Sequence, residues 1–253
     1  NGMLGWLVST ARPGVAFAHS RQSQHMSNPT KAAYDSMEHT CRYLKGNANL
    51  TLSVPLYNNA SPISSVFAPK DQARSVYTVE CYTDSDLAGN TEIQNKRRSQ
   101  NGAIAVRAGA PILWLSKVTS VAFAHPLINE AHADVSSAAA EIYAASNATH
   151  EFMALSYVTE EMGMSFPLPI LLGIDNTAAI AFANNSCVKS NLKHIDCRQE
   201  WVLMLRDKKI MVPCYVNTND NLADMFTKIL GLKVFRYLRD KIMIQYSVKT
   251  NKK

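Results

Sequence analysis

An α/β fold is predicted for this 253-residue chain, and three observations predict it. Strand-like runs at 76–83, 102–108 (GAIAVRA) and 111–116 (PILWLS) follow one another through connections short enough for antiparallel pairing. An alanine-rich stretch of helical length, about 136–162, comes next and leads into a continuous apolar run, Leu168 to Ile174. Helical segments at 176–184 and about 194–207 then lead to a last strand at 210–216 (IMVPCYV) and a short helix at 220–228. Crossovers through helices imply parallel pairing for the later strands. The expected sheet is therefore mixed and five-stranded, three antiparallel strands first and parallel ones after, with helices against it.

Ahead of the sheet, residues 1 to about 56 read as helical pieces. Ser27-Asn28-Pro29-Thr30 is a helix-start signal. Ala33, Met37, Cys41 and Leu44 then form an apolar stripe closed by Gly46. Residues 57–75, rich in Asn, Ser, Pro and Ala, read as a linker. The expected organisation is a helical segment with its linker over 1–75, the α/β domain over 76–230, and a basic tail over 231–253. Seven basic residues and one acid in that tail account for the whole net charge of +6. The tail could meet phosphate backbones or be a solvated terminus, and charge alone does not choose between them. No apolar run reaches eighteen residues, so no membrane span is expected. The opening NGMLGWLVST has no signal-peptide pattern and, lacking an initial Met, reads as an internal fragment. Five cysteines without C-x-x-C spacing fit a reducing compartment and no zinc site. Trp6, Trp114 and Trp201 are expected in the core rather than as base-stacking platforms.

The chemistry gathers on acids at element ends. Asp84 and Asp86 close the first strand, a poor place for carboxylates unless something compensates them; a turn is the plain alternative. Asp175 ends the run ILLGID and opens a helix, where it could serve as an N-cap or as a site residue at the carboxyl end of a strand. Glu141 is a single acid in SSAAAEIYAAS, which suggests a helix packed closely with that carboxylate aimed at something; a solvent-facing Glu is the alternative. Asp224, in NDNLADMFTK, could simply favour a helix N-terminus. Taken together, Asp84, Glu141, Asp175 and Asp224 would form a cluster that needs a cation. Oxygen-only ligands favour Mg²⁺ or Mn²⁺, and two such ions serve phosphodiester hydrolysis.

At these residues the sequence resembles the RNase H domain of copia-type LTR retrotransposon Pol polyproteins. YTDSDLAG is similar to Y-[ST]-D-[AS]-D-W-A-G, and RRSQNG and PILWLSK are similar to RKSTSG and PISWSSK. SSAAAEIYA resembles SSTEAEYVA, and LLGIDNTAAIAFANN resembles the C-D-N-x-S-A-I-x-L-A-x-N block. LKHIDCR and TNDNLADMFTK resemble T-K-H-I-D-I-R and T-x-D-Q-L-A-D-I-F-T-K. Upstream, STARPGVAFAHS, MSNPT and CRYLKG are similar to the stretch joining the polymerase to its RNase H. The resemblance implies an RNase H-like fold, with Asp84, Glu141, Asp175 and Asp224 both catalytic and metal-binding, two Mg²⁺ ions with Mn²⁺ as substitute, and hydrolysis of the RNA strand of RNA–DNA hybrids. Asp86 is the runner-up to Asp84. It also implies nucleic-acid contacts from Arg97, Arg98, Asn176, Lys193 and His194, an upstream reverse transcriptase polymerase as partner, and a cytoplasmic virus-like particle or the nucleus as location. Leu87 replaces the family's Trp, Ala138 and Ala139 replace Thr and Glu, and Ile229 replaces Pro. Val118 to Val135 is longer than the family segment, and its His125 and His132 are expected to be loop residues. The polymerase motif Y-x-D-D is absent. The rival reading is a catalytically silent, host-adopted or decayed hybrid-binding module of the same fold.

Overall fold

The computed structural model describes residues 1–54, 79–87, 89, 98–107, 109–119, 137–184 and 193–246, the side chains of 193–196 excepted. In chain order the elements are α1 (Gly2–Thr10), α2 (Ala16–Ser23), α3 (Lys31–Gly46), β1 (Leu50–Leu52), β2 (Val79–Asp86), β3 (Gln100–Arg107) and β4 (Ala110–Val118). They continue with α4 (Ser137–Glu161), β5 (Ile170–Ile174), α5 (Thr177–Asn184), α6 (Lys193–Asp207), β6 (Met211–Tyr215), α7 (Leu232–Ile242) and β7 (Met243–Gln245). Short 3-10 turns cover Pro13–Val15, Thr218–Asp220 and Leu222–Phe226. Thr30 caps α3 as its sequence predicts, its hydroxyl accepting the Ala33 N–H at 3.2 Å.

Five strands form one sheet in the order β4-β3-β2-β5-β6. β4, β3 and β2 are antiparallel neighbours, whereas β2–β5 and β5–β6 are parallel. This is the mixed five-stranded sheet expected, in the strand order and directions expected of an RNase H-like α/β fold. β2 runs on to Asp86, paired with Gln100, beyond the strand expected to stop at residue 83. The β3 ladder extends far enough to hold it.

Alternation along the strands sends side chains to two cores. Val79, Cys81, Ala103, Ala105, Leu172 and Ile174 face α4, α5 and α6. α4 is buried around most of its circumference, with Ala138, Ala144, Ala145, Ala148 and Phe152 all inside. It lies between the sheet and the other two helices, so it needs small residues rather than a single apolar stripe. The Trp201 indole N–H donates to Thr149 Oγ1 at 3.0 Å and locks α6 against it.

On the opposite face Tyr82, Ile104 and Val106 pack with Ala16, Leu50, Leu222, Phe226, Leu238, Ile242 and Met243. This second layer is built from both ends of the described chain. Trp114 Nε1 donates to the Val8 carbonyl at 2.8 Å, and Gln100 Nε2 donates to Ser20 Oγ at 3.0 Å. β1 and β7 pair antiparallel and close the layer.

Residues 232–245 of the basic stretch are thus a helix and a strand. Leu238 and Ile242 are fully buried beside a cationic outer side. An amphipathic pattern seats the helix, with Lys233 and Arg236 exposed and Arg239 and Lys241 paired with Asp240 and Asp220. Two further expectations change. The helix at 220–228 is a pair of 3-10 turns, and Trp6 stands 67% exposed on α1 rather than in the core. Trp114 and Trp201 do pack against the two cores. The linker at 57–75, the boundary at 75, His125 and His132 fall outside the described residues.

Candidate metal centre

The parallel pairing of β2 and β5 brings two strand ends to one edge. Tyr82 pairs with Gly173, and two residues further on each chain carries an aspartate, Asp84 and Asp175. The third acid comes from the second layer. Asn221, fully buried, donates from Nδ2 to the Thr83 carbonyl at 3.0 Å, and its Oδ1 accepts the Ala223 N–H at 3.1 Å. The 3-10 turn Leu222–Phe226 is thereby fastened to β2 with Asp224 beside Asp84. Gly102, the β3 partner of Asp84, makes this possible. A Cβ there would lie 2.7 Å from Phe226 Cβ and 2.8 Å from the Ala223 carbonyl oxygen.

Asp84, Asp175 and Asp224 each offer a carboxylate oxygen within 4.8 Å of the others. Asp86, also near the end of β2, is not in this set. Glu141 reaches in from α4. Its Oε1 accepts the Ser85 N–H at 3.2 Å, while its buried Oε2 has no hydrogen-bond partner among the described residues. The cap weighed for Asp175 is supplied by its neighbour, since Asn176 Oδ1 accepts the Ala179 N–H at 3.1 Å. Asp220 turns the other way, accepting from Lys241 at 2.8 Å and Tyr237 at 2.6 Å, which holds its carboxyl below its ordinary range. Of the two acids in TNDNLAD, one ties the turn to α7 and the other faces the cluster.

Electrostatics mark the cluster as short of positive charge. Burial, with Asp84 and Asp175 close by, pushes Glu141 well above the usual carboxylate range. Burial and Asp84 push Asp224 up to about 7. Burial raises Asp84 as well, against the opposing pull of Lys228 and Thr227. The Lys228 ammonium lies 2.9 Å from Asp224 Oδ1 and 3.5 Å from Asp84 Oδ1. The Thr227 hydroxyl donates to Asp84 Oδ2.

Asn221, Thr227 and Lys228 have structural work here that the sequence reading did not assign. The signal for Lys228 was present, an Asp and a Lys four residues apart in ADMFTK. An all-oxygen donor set, an orphaned buried Glu141 oxygen and several carboxylates against one ammonium together suit a hard divalent cation.

The expected nucleic-acid contacts are less complete. Arg98 lies beside the β3 edge, partly buried, with no hydrogen-bond partner for Nε among the described residues. Asn176 is engaged in capping α5 and in a 3.2 Å bond to Ser137. Arg97 is outside the described residues. Lys193 and His194 open α6 with side chains outside them.

Next to the acids is a cavity of about 310 Å³ lined by Asn101, Lys117, Tyr143, His150, Glu151 and Arg198, among others. Ser85 links the two, donating from Oγ to Asn101 at 3.0 Å and from its N–H to Glu141. The Arg198 guanidinium is fixed there, 3.6 Å over the Tyr143 ring and 2.6 Å from Asn147 Oδ1.

No protein-family model matches the chain. It is similar to the retrovirus-related Pol polyprotein from transposon TNT 1-94 of Nicotiana tabacum, 25% identical over 241 residues, 95% of this chain and 16% of that protein. It is also similar to the Pol polyprotein from transposon RE2 of Arabidopsis thaliana, 27% identical over 241 residues and 14% of its length. Among solved structures, an RNase H1 isolated from compost is 12% identical, matches 60% of this chain and 93% of its own, and has a TM-score of 0.42. The chain is thus similar, over 95% of its length, to retrovirus-related Pol polyproteins of plant transposons, and it spans about one sixth of the first of these relatives.

Proposed function

We propose that this chain is the ribonuclease H portion of a transposon Pol polyprotein, hydrolysing the RNA strand of RNA–DNA hybrids made during reverse transcription. The observation that carries the reading is the convergence of Asp84, Asp175 and Asp224, with Glu141 beside them, at the carboxyl edge of an RNase H-like sheet. The four acids would hold two Mg²⁺ ions, or Mn²⁺ in their place, which when bound supply an activated water and stabilise the leaving oxygen. Ser85 sets the Glu141 carboxylate, Asn221 sets Asp224, and the β2–β5 register sets Asp84 against Asp175. Arg198 and Lys117, with Arg98 just ahead of β3, supply cationic contacts for the hybrid backbone, which is recognised by shape and 2′-hydroxyls with little sequence dependence. The upstream polymerase is the proposed partner, and a cytoplasmic virus-like particle or the nucleus the proposed place of work.

The test is cleavage of an end-labelled RNA–DNA hybrid in Mg²⁺ or Mn²⁺ by the chain and by its Glu141→Gln and Asp175→Asn variants. RNA-strand cuts that vanish in both variants are expected. Hybrid binding without cleavage would instead support a silent module of the same fold. The ion pair that Lys228 makes with two of the four acids favours that second reading, because it neutralises part of the cluster without a metal.

A further inference from the structure

Lys228 occupies a position with consequences for how cations enter the cluster. Its ammonium contacts Oδ1 of both Asp84 and Asp224, while Thr227 takes the other oxygen of Asp84. Both oxygens of Asp84 and one of Asp224 are therefore engaged from a single dipeptide. Asp224 Oδ1 meets the ammonium as an ion pair and has no further hydrogen-bond partner among the described residues, whereas Glu141 Oε2, on the other side of the cluster, has neither. The acid site is asymmetric, with one side already neutralised and the other open.

The backbone builds this arrangement. The N–H groups of Thr227 and Lys228 both reach the Asp224 carbonyl, at 3.4 and 3.3 Å, so the turn that presents Asp224 also returns the lysine over it. The lysine side chain is 35% exposed, whereas those of Asp84 and Asp224 are 4% and 5% exposed. The carboxylates are held in place, and the ammonium sits on a flexible stem with a way out to solvent.

We infer that Lys228 is a built-in competitor for one of the two divalent cations. It holds the Asp84–Asp224 side when that cation is absent and must withdraw for the cation to bind there. This rests on the metal-dependent reading above. A cation bridging Asp84 and Asp224 needs the oxygens that the ammonium contacts, and two positive charges cannot share them at ion-pair distance. The Asp175–Glu141 side, which Lys228 does not contact at ion-pair distance, would present no such competitor to a divalent ion. An ion at the Asp84–Asp224 side would have to displace the lysine, so Lys228 is a positioning residue that sets the cation concentration at which the site fills. Linkage makes the antagonism reciprocal, with the metal weakening the lysine's contacts by the factor by which the lysine weakens the metal's.

The experiment is a Mn²⁺ titration of the full chain, followed by calorimetry and by the electron paramagnetic resonance signal of free Mn²⁺, for the wild type, Lys228→Met and Lys228→Arg. The weaker Mn²⁺ step should tighten on the order of tenfold in Lys228→Met and stay near the wild-type value in Lys228→Arg, which keeps the charge. In EDTA, Lys228→Met should melt below the wild type and regain more on adding Mn²⁺, a readout that holds even if this variant needs the ion to fold. Equal or weaker Mn²⁺ binding by Lys228→Met would overturn the inference and leave the metal reading standing. Absence of Mn²⁺ binding in all three proteins would overturn both.

Discussion

The two faces of the sheet are covered by opposite strategies. One is roofed by a single continuous passage of chain, α4 through α6, laid down in sequence order and fitted with alanines. The other is assembled from pieces that lie far apart: Ala16 and Leu50 from one end, and Leu222, Phe226, Leu238 and Met243 from the other. The acid cluster sits where these layers meet, since Glu141 belongs to the first and Asp224 to the second, while Asp84 and Asp175 belong to the sheet between them. The site is therefore a joint between two separately built layers, and loss of either whole layer should disarm it.

The largest break would come from deleting residues 1–54. The second face would lose the buried Ala16 and Leu50 and the partly buried Val8, uncovering Tyr82 and Ile104. A loss on the order of 5 kcal/mol is expected, comparable to the whole stability of many domains. Thermal melts followed by circular dichroism should show no cooperative transition, and a truncated chain that melted like the full one would refute the two-layer account.

A sharper contrast uses one buried phenylalanine from each layer. Phe152 on α4 and Phe226 in the turn are 1% and 0% exposed, so each change to Ala should cost about 3–5 kcal/mol. Only Phe226→Ala should weaken Mn²⁺ binding beyond that loss of stability, because Phe226 lies in the turn that carries Asp224. Equal effects on binding would mean that the turn is held by other contacts.

Smaller still is Asn221→Ala, which leaves the buried Thr83 carbonyl without its side-chain donor at a cost of about 1–3 kcal/mol. Urea titrations would read that cost, and Mn²⁺ affinity should fall with it as Asp224 loosens.

The smallest effect is a slope with pH. Asp84, Glu141 and Asp224 have their pKa values raised by folding, Asp224 to about 7. The folded state then binds more protons than the unfolded one above the ordinary carboxylate pKa, so their contribution is greatest below about pH 4 and is lost as pH rises towards 7. In EDTA, melting temperatures should show this downward component between about pH 4 and pH 7. Asp224→Asn should flatten it, and saturating Mn²⁺ should abolish it.

Which parts were legible in the sequence follows from how local each one is. Asp84 and Asp175 could be read because strand ends announce themselves, and Glu141 because an isolated acid among alanines is unusual on a helix. The mixed sheet followed from element order. The second layer was harder to read. Nothing local in LKVFRYLRDKI says that its apolar side meets Leu50 and Tyr82, so the cationic side dominated the reading. Lys228 lies four residues from Asp224, but a lysine at that spacing is ordinary on any helix surface. Only the Gly102 contact, which seats the turn against β3, makes it an occupant of the acid site. The exposure of Trp6 has no local signature either.

The pairing of Leu50 with Gln245 also imposes a timetable. At about 5–20 residues per second, a ribosome needs roughly ten to forty seconds to travel from one partner to the other. Through that interval β1 has no strand beside it, and the sheet face that will receive α7 is still bare. The layer of helices α4 to α6 can close during synthesis, but the opposite layer must wait. The emerging chain would therefore pass through a half-roofed stage in which its four acids are only partly gathered, and the second layer would close only once residues up to Gln245 had emerged.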